Sequence, residues 1–203
     1  MISKYSLVRA IPAASDPITP RRKLEAFNPK IVTSNETTKA KIKEKIIQNL
    51  LNTNNISFNF EQNINGKIEN GNCIIQYPKK IYCEYNLSNK KTMISNGKSL
   101  VIKTKTSYYL YPLEKTPLNL ILDKNFLIKK IKNLNERIIE NKFINFTFIE
   151  DDNEINVFFD NMNFNLIGWQ TLDIYQNLSI TYLSSVLKNQ DLAKSLFIIP
   201  KQN

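Results

Sequence analysis

The chain has 203 residues, of which 42% are hydrophobic, and this is enough to bury the core of one domain. It contains no histidine, which argues against Ser-His-Asp and Cys-His catalysis and against His-ligated zinc, so we expect a protein that is not an enzyme and uses no metal or cofactor. Four glycines leave almost no material for a phosphate-binding loop, and no apolar run of 18 residues predicts a membrane-spanning helix.

The formal net charge of +10 would ordinarily indicate nucleic acid or an anionic membrane surface as a partner. Residues 1–45 carry ten Lys/Arg against four Asp/Glu, a net of +6, whereas residues 46–203 carry eighteen against fourteen, a net of +4. Because the chain is also rich in Asn, Lys and Ile, as AT-rich genomes encode, we interpret the charge mainly as composition and a solvated surface. A basic nucleic-acid-binding β-module is kept as an alternative.

Residues 1–32 are predicted to be a disordered or atypical N-terminal extension. Lys4 and Arg9 interrupt any apolar stretch near the start, so the usual pattern of a signal peptide is missing. Prolines alternate with basic residues up to Pro29, which is typical of a linker. We therefore expect the folded domain to cover residues 33–203.

A helix is predicted to begin at Thr33, which with Glu36 fits a capping box. Apolar residues then recur at helical spacing until the asparagine-rich segment 52–55. Beyond it the apolar period changes to two, which predicts strands. These strands are expected at residues 56–64, 67–76, 80–85, 92–95, 99–105, 108–111, 143–149, 155–159, 168–174 and 178–183. Because no long helix is predicted between them, they favour an antiparallel meander over βαβ units.

Two cysteines, Cys73 and Cys83, straddle a predicted hairpin turn at Pro78 and are expected to face each other across it. Opposed residues in a non-hydrogen-bonded antiparallel pair lie about 4.5 Å apart at Cα, and disulfides usually need about 4.4–6.8 Å. We predict a disulfide, which would indicate an oxidising compartment. Two buried thiols are the alternative.

The segment 116–122 is predicted to be a short helix, with Thr116 as its cap and Pro117 in the first position. It is apolar on most sides and should be buried. Two interpretations are open: a plug that fills the core, or a lid over a cavity. The acidic run 150–154 is interpreted as a solvated turn because it lacks the spacing of an EF-hand loop.

The order of these elements resembles the outer-membrane lipoprotein carrier (LolA-like) family over roughly Thr38 to Pro200. The matching pieces are Phe60 and Gln62; Pro78, Ile81 and Tyr85; the turn Ser95-Asn96-Gly97-Lys98-Ser99-Leu100; the helix 116–122; and Gly168, Trp169 and Asp173. The resemblance implies a mainly β (α+β) fold, in which a strongly curved antiparallel sheet or incomplete β-barrel is lidded by short helices.

The resemblance, together with strand alternation, implies a cavity for acyl chains. Its expected lining is Phe58, Phe60, Ile64, Ile75, Ile81, Tyr109, Tyr111 and Trp169, and its expected lid is Pro117, Leu118, Leu120, Ile121 and Leu122. In the family an arginine before the hairpin proline hydrogen-bonds the lid. Tyr77 takes that position here and has one hydroxyl instead of five N–H donors, so we expect a weaker latch or none.

The function that the resemblance implies is binding of acylated lipoproteins and their transport across the periplasm from the inner to the outer membrane. The implied partners are an inner-membrane lipoprotein-releasing ABC transporter and an outer-membrane receptor, with no nucleic acid, and we expect the protein to act as a monomer. An outer-membrane lipoprotein receptor or an envelope lipid sensor of the same fold is a further alternative. Such a receptor would need a lipidated cysteine near its N-terminus, and Cys73 lies too deep in the chain.

Overall fold

The structure is a computed structural model that describes residues 36–173 and 175–202. The predicted extension over residues 1–32 and the Thr33 cap lie outside the described residues. The helices are α1 (Glu36–Leu51), α2 (Leu118–Ile121) and α3 (Lys124–Asn133), and a 3-10 turn spans Leu113–Lys115. The strands are β1 (Asn55–Ile64), β2 (Lys67–Gln76), β3 (Lys80–Tyr85), β4 (Thr92–Asn96), β5 (Ser99–Lys103), β6 (Tyr108–Pro112), β7 (Arg137–Ile139), β8 (Phe143–Glu150), β9 (Asn153–Asp160), β10 (Leu166–Leu172) and β11 (Leu178–Lys188).

All of these strands belong to one antiparallel sheet, in the order β6-β5-β4-β3-β2-β1-β11-β10-β9-β8-β7. Consecutive strands are neighbours on either side of a central joint, where β1 pairs with β11 from Ile56↔Lys188 to Ile64↔Ser179. The sheet therefore consists of two meanders, β1–β6 and β7–β11, and it is open at β6 and β7. The predicted fold class, a mainly β curved antiparallel sheet with short helices, is confirmed.

The segment that joins the two meanders, residues 113–136, connects one edge strand to the other. The chain leaves the sheet at β6 and re-enters it at β7, so this connection crosses the concave face. It contains α2 and α3, and its side chains Ile121, Leu122 and Leu127 are completely buried in the main core. The topology thus places two short helices over the inner side of the sheet.

Helix α1 covers one end of the same face. Its residues Ile46 and Leu50 are buried in the core that also contains α3. The helix ends at Leu51, and just beyond it the Thr53 hydroxyl donates to the carbonyl of Asn49 at 2.6 Å. The Lys124 ammonium donates to the Thr53 carbonyl at 2.8 Å, which ties the end of α1 to the start of α3.

The C-terminal segment returns along the outer face of the sheet. Phe197 is only 6% exposed, and the Lys80 ammonium lies 5.8 Å from its ring centre. The Tyr108 hydroxyl donates to the carbonyl of Pro200 at 3.0 Å. This segment covers outward-facing residues of the first meander, which explains how both faces of a thin sheet become partly buried.

Several sequence predictions need correction. Helix α3 and strand β7 were not predicted, and strand β11 continues to Lys188 because it has β1 as a partner along its length. Strand β10 lies at Leu166–Leu172 instead of residues 168–174. Thr116 does not cap α2: its hydroxyl donates to the carbonyl of Leu113 at 2.8 Å, so it closes the preceding turn instead.

Candidate functional site

A cavity of about 160 Å³ lies between the concave face of the sheet and α2. Strand alternation supplies its walls, because residues two apart on a strand point to the same face. On β3 these are Ile81, Cys83 and Tyr85, and on β5 they are Leu100 and Ile102. The other apolar lining residues are Phe60, Ile64, Cys73, Met93, Pro117, Leu118, Trp169 and Leu172.

Cys73 and Cys83 form part of the cavity wall. They lie directly opposite each other in the β2–β3 ladder and are joined by a disulfide, with 4.1 Å between their Cα atoms. Both side chains are buried. The bridge closes the β2–β3 hairpin around its turn and presents an apolar surface to the cavity.

An aromatic pair forms the wall next to the disulfide. The rings of Phe60 and Tyr85 meet edge to face, with centroids 4.9 Å apart. The Phe60 ring lies over Gly71, the residue opposite it on β2. A Cβ at position 71 would approach the Phe60 ring to 2.9 Å and would strike the backbone carbonyl of Glu84. Glycine at position 71 therefore lets the aromatic ring lie flat on the sheet.

Polar side chains occupy one side of the cavity at the central joint of the sheet. We call Gln62, Thr171, Ser179 and Thr181 the polar strip. The Gln62 amide donates to the Ser179 hydroxyl at 3.0 Å and to the Thr181 hydroxyl at 3.1 Å. Within residues 36–173 and 175–202, the Thr171 hydroxyl has no hydrogen-bond partner, although its side chain is buried. Such a group costs about 1–3 kcal/mol of folding free energy.

A buried ion pair lies beside this strip. The Glu69 carboxylate contacts the Lys91 ammonium at 2.5 Å and the Lys67 ammonium at 3.0 Å, and its side chain is 4% exposed. Burial alone raises the pKa of Glu69, but the hydrogen bonds from Lys91 and Lys67 outweigh burial and the net pKa is lowered. Lys91, which lines the cavity, also lies 4.1 Å from the centre of the Tyr85 ring. Its charge is therefore balanced by Glu69 and is not left free in the cavity.

A family model described as "Outer membrane lipoprotein carrier protein LolA" matches residues 51–200, which is most of the chain and includes the whole of the sheet. The chain belongs to the LolA family. No curated protein matches it at a significant level. The name of the family refers to carriage of lipoproteins and not to catalysis.

Solved structures with a similar fold are distant in sequence. A LolA superfamily protein from Nitrosomonas europaea is 9% identical, with 79% of this chain and 97% of that chain covered and a TM-score of 0.42. A putative outer membrane lipoprotein-sorting protein domain from Vibrio parahaemolyticus is 6% identical, with 79% and 96% covered and a TM-score of 0.45. LprF from Mycobacterium bovis is 13% identical, with 74% and 93% covered and a TM-score of 0.43.

Four of the eight predicted lining residues line the cavity, namely Phe60, Ile64, Ile81 and Trp169. Phe58 and Ile75 point to the same side but are packed beneath it, where the Phe58 ring meets Trp169 edge to face at 6.4 Å.

The other two predicted residues, Tyr109 and Tyr111, lie outside the cavity lining because β6 is an edge strand. Tyr109 is 46% exposed. Tyr111 is half-buried, and its hydroxyl lies 3.4 Å from that of Tyr175 at the cavity mouth. An edge strand has a neighbour on one side only, so its inward side chains are covered less than those of a central strand.

The predicted lid divides into two parts. Pro117 and Leu118 line the cavity, whereas Ile121 and Leu122 are completely buried in the core and Leu120 packs against that core while half-buried. The segment thus combines both interpretations of its sequence. Its first half covers the cavity, and its second half is an apolar anchor.

The predicted latch residue, Tyr77, does not reach the cavity. Its ring points to the other end of the domain, where it packs near α1 with the Lys124 ammonium 5.9 Å from its centre. Burial raises the pKa of the Tyr77 hydroxyl above its usual value. The neighbouring Lys79 makes the contacts with the lid connection instead.

Lys79 joins three elements. Its backbone N–H donates to the carbonyl of Leu122 at 2.8 Å, and its ammonium lies 3.6 Å from the Asp123 carboxylate. Its carbonyl accepts a hydrogen bond from the Ser95 hydroxyl at 2.9 Å. The hairpin turn, the β4–β5 turn and the end of α2 are therefore held together at one residue.

The polar strip and the β5 side of the cavity were not predicted from the sequence as cavity lining. Leu100 and Ile102 could have been found from their spacing on a predicted strand. The sequence pattern could not identify the three hydroxyl residues as cavity lining, because hydroxyl residues on a strand are also typical of a solvent-facing side. These residues are Thr171, Ser179 and Thr181. No helix in the described parts of the chain is long and apolar enough to cross a membrane.

Proposed function

We propose that this LolA family member binds the acyl chains of lipoproteins between the concave face of its sheet and α2, and carries them across the periplasm from the inner to the outer membrane. The proposal rests on the apolar cavity beneath Pro117 and Leu118 in a chain that belongs to this family. The implied partners are an inner-membrane ABC transporter that releases lipoproteins and an outer-membrane receptor, with the carrier acting as a monomer. The Cys73–Cys83 disulfide supports an oxidising compartment.

Burial of hydrocarbon supplies the driving force. Each CH₂ group removed from water contributes about 0.8 kcal/mol, so one 16-carbon chain contributes about 12 kcal/mol before the costs of association. No charged intermediate and no general base are needed for such binding. A carrier must also release its cargo, and complete enclosure of several chains at this energy would prevent release.

The size of the cavity indicates that it opens to accept a chain. A volume of about 160 Å³ is close to that of an apolar protein cavity that holds a single benzene molecule. A 16-carbon chain is several times larger, so the first half of the lid segment, with Pro117 and Leu118, must move away from the sheet. The buried second half, with Ile121 and Leu122, keeps the segment attached while it moves.

The test is a pair of leucine-to-aspartate substitutions. Leu118 lines the cavity, whereas Leu110 lies on β6 and is 57% exposed. We expect Leu118→Asp to weaken binding of a dipalmitoylated lipopeptide at least about tenfold, because a chain in the cavity would have to desolvate the carboxylate. Leu110→Asp should bind as the wild type does. Binding is measured by isothermal titration, and circular dichroism checks that both variants fold.

Wild-type affinity in folded Leu118→Asp would show that the chains bind elsewhere and would refute the proposal. The cargo itself is identified by mass spectrometry of lipid or lipoprotein that co-purifies from the native host. An acylated protein in that fraction is the expected result, and a preparation that consistently lacks acyl chains would count against carriage.

A further inference from the structure

The polar strip lies inside a cavity whose other walls are mostly apolar. Thr171, Ser179 and Thr181 are all more than nine-tenths buried, at 7%, 3% and 4% exposure. They come from β10 and β11 and lie side by side, since Thr171 is directly opposite Ser179 in the ladder. Gln62 lies opposite Thr181 on β1 and completes the group.

The hydrogen bonds of the strip leave its hydroxyl protons unused. The Gln62 amide nitrogen donates to the oxygens of Ser179 and Thr181, so these hydroxyls act as acceptors. The Tyr85 hydroxyl donates to the Gln62 amide oxygen at 3.4 Å, which fixes the orientation of the amide. A hydroxyl that accepts still has one O–H to donate. Together with the Thr171 hydroxyl, which is unpartnered among the described residues, three O–H donors face the cavity.

The charges around the strip favour a neutral acceptor over an anion. Lys91 is the cation that lines the cavity, and Glu69 already neutralises it at 2.5 Å. The Asp173 carboxylate also lines the cavity, and it accepts hydrogen bonds from the backbone N–H groups of Tyr175 and Asn177. A fatty-acid carboxylate or a phosphate at the strip would meet the negative charge of Asp173, and the described lining residues offer no unpaired cation to offset it.

The polar strip lies next to the aromatic part of the cavity wall. Gln62 follows Phe60 by two residues on β1, and Thr181 is opposite Trp169. Adjacent inward positions on a strand are about 7 Å apart, which is about five carbon–carbon bonds of an extended chain. An acyl carbonyl at the strip would therefore let its own chain run directly along Phe60 and Trp169 toward Leu118.

We propose that the polar strip binds the carbonyl oxygens of acyl ester or amide linkages, so that the protein selects acylglyceryl groups over hydrocarbon chains that lack a carbonyl. This inference rests on the proposed function, because it assigns the head of the same ligand. The three hydroxyls donate to the carbonyls, and Gln62 holds two of them in position. Either an acylated lipoprotein or a diacyl phospholipid could supply such a linkage.

The test compares matched ester and ether ligands. The wild-type protein is titrated with a dipalmitoylglyceryl-cysteine peptide and with its dihexadecyl ether analogue, which has equal chains and no ester carbonyl. Two hydrogen bonds that form only with the ester should make its binding about fivefold tighter or more. The same comparison with diacyl and dialkyl phosphatidylglycerol separates the two sources: preference in the lipopeptide pair alone points to lipoproteins, and preference in both pairs admits phospholipid.

The matched variant replaces the hydroxyls by groups of similar shape. Thr171→Val, Ser179→Ala and Thr181→Val together should reduce the ester preference to within about twofold, because binding of the ester should weaken relative to binding of the ether. Thr92→Val, on the outer face of the same sheet, should keep the full preference. The infrared band of a ¹³C-labelled ester carbonyl gives a second readout, because it should move to lower frequency on binding to the wild type and should do so less with Thr171→Val alone.

The possible results distinguish failure of the carbonyl-binding inference from failure of the proposed function. Equal wild-type affinity for ester and ether overturns the inference and leaves acyl-chain binding intact. A triple variant that keeps the ester preference shows that another group binds the carbonyl, and this also overturns the inference. If the wild type binds neither ligand, the proposed function fails and the inference fails with it.

Discussion

Two threonines of the cavity differ in what their hydroxyls contact. Thr116 is 5% exposed and donates to the carbonyl of Leu113 at 2.8 Å, so its hydroxyl holds the turn before α2. Thr171 is 7% exposed, and its hydroxyl has no partner among the described residues. The Thr116 hydroxyl therefore stabilises the fold, whereas the Thr171 hydroxyl destabilises it as long as no ligand is bound.

We expect the same substitution at these two positions to change stability in opposite directions. Thr171→Val removes an unsatisfied buried group and should raise the free energy of unfolding by up to about 1 kcal/mol, whereas Thr116→Val removes a hydrogen bond and should lower it by about 1 kcal/mol. Urea denaturation followed by circular dichroism measures both. A loss of stability in Thr171→Val would mean that its hydroxyl is satisfied in the folded protein.

The sequence predicts the apolar residues of the cavity wall better than the polar ones. Phe60, Ile64 and Ile81 follow from a period of two, because a large apolar residue on a strand must face a buried side. Thr171 and Ser179 could not be recognised, because hydroxyl residues are common on solvent-facing sides of strands. Their burial depends on the curvature of the sheet, which no local pattern specifies.

Asp123 connects the lid to its surroundings. Its carboxylate accepts hydrogen bonds from the backbone N–H groups of Asn125 and Phe126, both at 3.1 Å, and so caps α3. The same carboxylate lies 3.6 Å from the Lys79 ammonium. One side chain thus fixes the start of α3 and ties the end of the lid to the β2–β3 hairpin.

Two substitutions separate these roles. Asn can also cap a helix, so Asp123→Asn loses only a partly exposed ion pair and should cost less than about 0.5 kcal/mol of stability. Asp123→Ala loses the cap as well and should cost about 1 kcal/mol. The free energy of unfolding in urea is the measurement, and hydrogen exchange at the amides of Asn125 and Phe126 should be faster in Asp123→Ala alone. Equal costs for the two variants would assign the effect to the ion pair.

The disulfide stabilises the β2–β3 hairpin through the unfolded state. Cys73 and Cys83 are ten residues apart, and closing a loop of this length restricts the unfolded chain by about 2–3 kcal/mol. We expect a reducing agent to lower the free energy of unfolding by this amount. The Cys73→Ala, Cys83→Ala double variant should show no response to the reductant. Mass spectrometry of the alkylated, unreduced protein should find no modified thiol, and two alkylated cysteines would refute the bridge.

Helix α3 has a local sequence signal, whereas strand β7 has none. Helix α3 follows an acidic cap at Asp123, and its buried residues Leu127, Ile128 and Ile131 have helical spacing. Strand β7 could not be found in the same way. It is three residues long and is defined by its pairing with β8, which a local pattern does not encode.

At the scale of the whole molecule, the proposed function and its nucleic-acid alternative differ in their response to salt. The formal charge of +10 includes +6 in residues 1–45. The cavity lies in the remaining part of the chain, where Lys91 is paired with Glu69. Binding in the cavity should therefore depend on apolar burial and little on ionic strength.

We expect the affinity for a dipalmitoylated lipopeptide to change less than about twofold between 50 and 200 mM salt, since acyl-chain burial releases no counterions. Binding that neutralised several phosphates would weaken by orders of magnitude over this range. Titration calorimetry at both salt concentrations makes the comparison, with an oligonucleotide as the control ligand. Oligonucleotide binding that weakens steeply with salt, together with no lipopeptide binding, would contradict the carrier proposal and support the nucleic-acid alternative.

The overall topology was only partly predictable. Short strands without long intervening helices indicate an antiparallel meander, and the structure contains two of them. The pairing of β1 with β11 could not be predicted, because it joins segments more than a hundred residues apart. The crossing of the concave face by residues 113–136 follows from that pairing, since it places β6 and β7 at opposite edges.

The central joint also has a consequence for the order of folding. Each meander can form from contacts between neighbours in the chain, but the sheet becomes continuous only when β11 reaches β1. Closing so long a loop is slow compared with forming hairpins. During synthesis or threading from the N-terminus, β1 would therefore keep an unpaired edge until residues 178–188 have emerged. In that interval the nascent chain exposes both a template for strand pairing and the apolar face intended for lipid, so it is most exposed to aggregation just before its last strand arrives.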